Sequence, residues 1–180
     1  MSIKEHILDV AESLFNELGY TAVGVDLIRD QANVSKTSMY RHFGSKNKLI
    51  AAVLARRHQY FDAQLTPIFA SAASVDARLD ALLDWHFAWF YSKNFKGCMF
   101  MHALAEFKSQ DETLAQQALQ HKAWLKLLLL SLFEPLDKKR ADKAEAIITF
   151  LEGMIVRAEF GEVIENEEAY RLSIKALAKV

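Results

Sequence analysis

An all-α fold is predicted by three features of the 180-residue sequence. Apolar residues recur at three- and four-residue spacing almost throughout, the period of a helix with one buried face. No run of four or more β-branched or aromatic residues alternates with polar ones, as a half-buried strand requires. Helix-breaking residues are scarce, with two prolines and six glycines, and several of them fall where an apolar stripe ends. At 52 % hydrophobic residues the chain has ample material for a core and lies far from the composition of disordered segments.

Taken in order, the elements are these. Ile3, Ile7, Val10, Ala11, Leu14, Phe15 and Leu18 form one stripe, and Gly19 closes that helix. A short amphipathic helix runs from Asp26 to Ala32, a tight turn follows at Asn33-Val34, and a second short helix spans Lys36 to Phe43 with Ser35 placed to cap it. Ser45 opens a fourth helix that reaches about Leu65, where Pro67 and the small-residue stretch 70–74 mark a boundary. Ser74-Val75-Asp76 starts the fifth, which runs to Tyr91, and 93–97 is a break. Cys98 to Phe107 is the sixth, and a long seventh runs from Asp111 to near Phe133, stopped by Pro135. Residues 138–160, closed by Gly161, and 166–179 complete the set. The resulting architecture is a small N-terminal unit of three helices, joined through helix 45–65 to a larger C-terminal helical bundle.

Two short helices joined by a tight turn, as in Asp26–Phe43, form the helix-turn-helix unit whose second helix enters the DNA major groove. The charge pattern agrees. No acidic residue lies between Gln31 and Phe61, while Lys36, Arg41, Lys46, Lys48, Arg56 and Arg57 are basic. Such a window favours a phosphate backbone, because neutralising phosphates releases counterions. The net charge of −1 conceals it, since residues 1–65 hold eight Lys/Arg against seven Asp/Glu and the remainder fourteen against sixteen.

With AESLFNELGY ending the first helix, then DLIRDQANVS, then KTSMYRHFGSKNKLI, the N-terminal third resembles the tetracycline-repressor-like (TetR) family of bacterial transcription regulators. The resemblance covers about 50 to 55 residues; beyond them it extends only to length, helical pattern and a GC-x-F segment. It implies residues 1–48 as the DNA-binding domain and 66–180 as the effector-binding and dimerisation domain. On the matching positions it implies Ser35, Lys36, Thr37 and Ser38 at bases and phosphates, Tyr40 and His42 at the sugar-phosphate backbone, and Lys46 at a phosphate. Arg41 is placed to pair with a guanine. Ile28, Ala32, Val34, Met39 and Phe43 are expected in the small domain's core. Val23 and Gly24 stand where many members carry hydroxyl residues, Asn33 replaces the usual turn glycine, and Thr37 replaces a small residue.

Further along, Trp85, Trp89, Phe90, Cys98, Met101, His102 and Trp124 are candidates for a small-molecule effector pocket, lined by aromatics and methionines with a few polar handles. The same set would equally serve as plain core. Ile147, Leu151, Met154, Ile155 and Leu172 are candidates for a homodimer interface between helices. Cys98, at a helix start beside Lys96, opens the alternative of a redox- or electrophile-sensing regulator. A remoter alternative is an enzyme using Cys98 and His102, but no third ligand, phosphate loop or serine elbow accompanies them. No metal or other cofactor is called for. One cysteine cannot form an internal disulfide, the N-terminus lacks signal-peptide character, and Trp124–Phe133 is too short to span a bilayer. The expected partners are a double-stranded operator, a second copy of the chain and an unidentified small effector, with no membrane, in the cytoplasm.

Overall fold

The computed structural model describes residues 2–162 and 165–179, and every regular element among them is helical. They are α1 (Ile3–Leu18), α2 (Val25–Ala32), α3 (Lys36–Phe43), α4 (Lys46–Ala70), α5 (Val75–Phe90), α6 (Met99–Phe107), α7 (Glu112–Leu130), α8 (Arg140–Glu159) and α9 (Glu167–Leu177). Local chemistry accounts for most boundaries. Ser2, Ser35, Ser74 and Asn166 precede helices, and their side-chain oxygens accept the amides of Glu5, Ser38, Ala77 and Ala169. Ser45 caps Lys48 and Asp111 caps Leu114 in the same way. Each bond satisfies an amide that a helix start leaves without an internal partner. Cys98 is the residue before α6 rather than its first turn, and its side chain makes no capping bond.

Pro67 does not end the fourth helix, as the sequence suggested; α4 continues through it to Ala70. The proline lies one turn from the end, so its missing N–H removes a single helical bond. Leu65 and Phe69, both buried, hold that last turn in place. The break falls instead at 71–74. The seventh helix is likewise shorter than expected, ending at Leu130, and the eighth starts at Arg140.

Two compact units emerge. The first comprises Met1–Tyr60 with Cys98–His121, and the second Phe61–Gly97 with Lys122–Val180. This grouping differs from a division at 48 and 66, because α6 and the first half of α7 pack with the N-terminal helices. In the first unit Ile7, Ala11, Phe15, Tyr20, Val23, Ile28, Leu49, Ile50 and Val53 are buried. The Tyr20 hydroxyl donates to the Met99 carbonyl at 2.9 Å, and its ring lies against Phe15 and Phe107. Burial, with Cys98 and Glu106 nearby, pushes that phenol far above its usual range.

In the second unit α9 is held on α5 by charge as well as apolar contact. Arg171 bonds Asp84 at 2.6 Å and lies over the Phe87 ring, Lys175 pairs with Asp80 at 2.7 Å, and Lys179 reaches Asp76. Ala144, Ile147, Leu151, Met154, Ile155 and Ile174 form the apolar layer of α8 and α9.

Candidate nucleic-acid interface

The turn between α2 and α3 follows from one residue. Asn33 adopts φ 50° and ψ 47°, and is the one non-glycine residue at positive φ among those described. Asparagine tolerates that left-handed geometry better than most residues. The Val34 amide then donates to the Arg29 carbonyl, closing α2, and Ser35 opens α3 at once. Ile28, Ala32, Met39 and Phe43 are buried beneath the two helices, as expected, whereas Val34 is half-buried.

That core leaves one face of α3 outward. Ser35, Lys36, Thr37, Tyr40, Arg41 and His42 are exposed and Ser38 is half-buried, so the residues proposed to touch DNA share one surface. Tyr40 keeps 44 % of its surface open despite its ring. Lys36 lies 3.6 Å from Asp26, both side chains well exposed, a pairing a phosphate could replace at little cost.

Lys46 is held differently. Its ammonium donates to the Thr21 carbonyl at 3.3 Å. Partial burial lowers its pKa, with Glu106 acting against that shift. Glu106, from α6, accepts the Tyr20 amide at 3.0 Å and the Thr21 amide at 2.6 Å. Burial disfavours its charge, but these bonds outweigh it and hold the carboxyl below the usual range. The α1–α2 link, Gly19–Thr21, is thus gripped from α6, a contact sequence reasoning missed. A residue pair some 86 positions apart carries no periodic signal.

Two of the six cations in the acid-free window point elsewhere. Arg56 bonds Asp9 and Glu12 of α1, each at 2.6 Å, and Arg57 lies 3.3 Å from Glu12. They fasten α4 to α1. The window's basic character therefore overstates the charge available to a phosphate backbone.

The other candidate residues are placed as follows. Cys98, Met101 and His102 belong to the first unit, and Trp85, Trp89, Phe90 and Trp124 to the second. Cys98 is 3 % exposed. Trp85 and Trp89 are half-buried and pack edge-on to Phe61 at 5.0 and 5.3 Å, while Phe95 meets Trp89 and Phe90. His86, within this cluster, is buried, and its Nδ1 lies 2.8 Å from the Leu82 carbonyl. Burial lowers its pKa to about 4, so the ring is neutral and donates that bond. Ile147, Leu151, Met154 and Ile155 are buried within the chain's own core, whereas Leu172 is 62 % exposed. So broad a stripe on α8 already serves the single chain.

Comparison with known proteins places this geometry. Residues 7–53 match the family model described as bacterial regulatory proteins, tetR family. The chain is 48 % identical over 50 residues to the HTH-type transcriptional activator FasR of Mycolicibacterium smegmatis, a match covering 28 % of this chain and 23 % of FasR. It is 24 % identical over 177 residues to IcaR, the negative transcriptional regulator of the biofilm operon icaADBC in Staphylococcus epidermidis, covering 92 % of this chain and 91 % of IcaR. The crystal structure of a TetR-family transcriptional regulator from Streptomyces coelicolor superposes with a TM-score of 0.90 at 22 % identity, over 98 % of this chain and 94 % of that one. These relatives are regulators of transcription. The first third of the chain thus matches the DNA-binding region of the tetR family of bacterial regulatory proteins, and its helical fold along the whole length is that of TetR-family regulators of known structure.

Proposed function

We propose that this chain is a homodimeric repressor that sets one α3 helix from each copy into successive major grooves of a palindromic operator, and that a small hydrophobic effector releases it. The single observation carrying the DNA half is the outward row Ser35, Lys36, Thr37, Tyr40, Arg41 and His42 on a helix fixed from below by Ile28, Met39 and Phe43. Arg41 reads a base, Lys36 and Lys46 meet phosphates, and Tyr40 and His42 touch the backbone. Residues 1–48 carry this contact, and 66–180 carry effector binding and dimerisation, in the cytoplasm. No helix among the described residues is long and apolar enough to cross a membrane.

Dimerisation is supported by the outward side of α8 and α9. Thr149 and Gly153 are exposed there, Ala146 and Phe150 half-buried, a Cβ added at Gly153 would meet nothing, and Leu172 stands open on α9. A second copy pairing through these faces would form a four-helix bundle. Two half-sites are needed because one short helix offers few base contacts. The effector half rests on the aromatic set of the second unit, whose rings supply apolar surface with the neutral His86 among them. The names of relatives include both an activator and a negative regulator. Repression is preferred because occupying an operator needs no further contact with the transcription machinery.

The test is selection of genomic fragments by the purified protein, with a salt titration and sedimentation of the complex. A palindrome bound by two chains, with affinity falling steeply with salt, is the expected result. Arg41→Ala should cost about 1–3 kcal/mol and relax preference at one base position. Weak, sequence-independent binding by a monomer overturns the proposal.

A further inference from the structure

We infer that His58 and His121 form a binding site for a late first-row divalent metal ion inside the first unit, a site distinct from the DNA-reading face. His58 from α4 and His121 from α7 bring their Nδ1 atoms within 3.1 Å of one another, with ring planes 88° apart. Sixty-three residues of sequence separate them, and neither motif nor spacing announced the pair. His121 is 2 % exposed, and its ring stacks on Phe100 of α6 at 3.6 Å between centroids and 6° between planes. That stack fixes the orientation of the imidazole.

The pair opens onto a cavity of about 220 Å³ bordered by Ala55, Gln59, Phe100, Gln117 and Gln120. Such a volume holds an ion with several waters, each of which takes roughly 30 Å³. Gln117 gives its amide N–H to the Ala51 carbonyl at 2.9 Å, which leaves its side-chain oxygen as the end that can accept or ligate. Two imidazoles and the Gln117 side chain therefore border one space.

The donor set selects the ion. At the usual metal–nitrogen distance of about 2.0–2.1 Å, nitrogens 3.1 Å apart subtend roughly 100° at the metal, an angle suited to neighbouring ligands. No carboxylate lines the cavity, which disfavours magnesium and calcium. Among the described residues no third His, Cys, Asp or Glu joins the pair. The remaining positions fall to Gln117 and water, an open nitrogen–oxygen site of the kind copper(II) and nickel(II) take, with copper(II) tightest in the affinity order. Binding balances without a change in protein charge. The imidazole that donates its Nδ1 proton within the pair moves that proton to Nε2, and both Nδ1 lone pairs then face the ion.

The experiment is titration of the full chain with Cu²⁺ in a glycine buffer that competes for weaker sites, followed by electron paramagnetic resonance. One ion per chain with two imidazole nitrogens in its spectrum is expected, and His58→Ala should weaken binding by at least about tenfold. Because His58 is only half-buried, an unchanged melting temperature shows that this variant still folds. In the unaltered chain, substoichiometric Cu²⁺ should broaden the ring proton signals of His58 and His121 before those of His6, His42, His86 and His102. Binding unchanged in His58→Ala, no binding above the buffer, or first broadening at another histidine overturns the proposal.

Discussion

Asn33 makes the turn between the two helices of the helix-turn-helix through its left-handed backbone. At φ 50° a β-branched residue is held in a region its side chain resists. Asn33→Val should therefore lower stability by about 1–2 kcal/mol, while Asn33→Gly should be close to neutral, both read by thermal melting. If valine proves harmless, the turn has another way to close, and the geometry given to it here is mistaken. At this scale the sequence was informative. Ser35, Ser45, Ser74 and Asp111 announce their helices by side chains that bond three residues onward, and a local bond leaves a local trace. Val34 was misjudged for the opposite reason, since a turn residue's burial depends on what packs over it.

At the level of elements, α6 is the piece that sequence reading placed least well. The sequence identified a helix from Cys98 to Phe107, but neither its buried face, Met99, Phe100, Ala103 and Phe107, nor the partner of that face. The partner is the α1–α2 link, reached through Tyr20 and gripped by Glu106. The Glu106 carboxyl is held below its ordinary pKa, so the grip is complete above the unfolded value near 4.5 and weakens as pH falls through the folded one. Glu106→Gln should destabilise the chain by about 1 kcal/mol at pH 7, allowing for partial exposure of the group. The difference from the unaltered chain should shrink towards pH 3. A difference that stays constant with pH would show that the amide bonds matter and the charge does not.

For the whole molecule, the clearest pH response belongs to His86. Buried and neutral, it has a pKa near 4 against 6.5 in the unfolded chain. A depressed histidine stabilises nothing extra at high pH, but its unfolded form takes up a proton first as the solution turns acid. Stability should then be full above pH 6.5 and fall towards pH 4, by up to about 3 kcal/mol. Melting curves of the unaltered chain and His86→Leu across that range should diverge in slope, and parallel profiles would remove His86 as the cause. The all-helical class and the helix-turn-helix were legible because period and turn chemistry are written locally. How the helices group was not, because Tyr20 with Met99 and His58 with His121 are meetings of distant segments that leave no pattern in either.

α4 and α7 each give residues to both compact units, the first from Lys46 to Ala70 and the second from Glu112 to Leu130. A helix cannot come apart over one half without fraying hydrogen bonds in the other, so the units share the fate of two common rods. The consequence is one cooperative melting transition. All three tryptophans, Trp85, Trp89 and Trp124, lie in the second unit, so their fluorescence reports that unit alone while far-UV circular dichroism reports every helix. The two signals should trace the same denaturant curve. Separate midpoints would mean that α4 or α7 breaks in the middle, and that the first unit can be lost while the second persists.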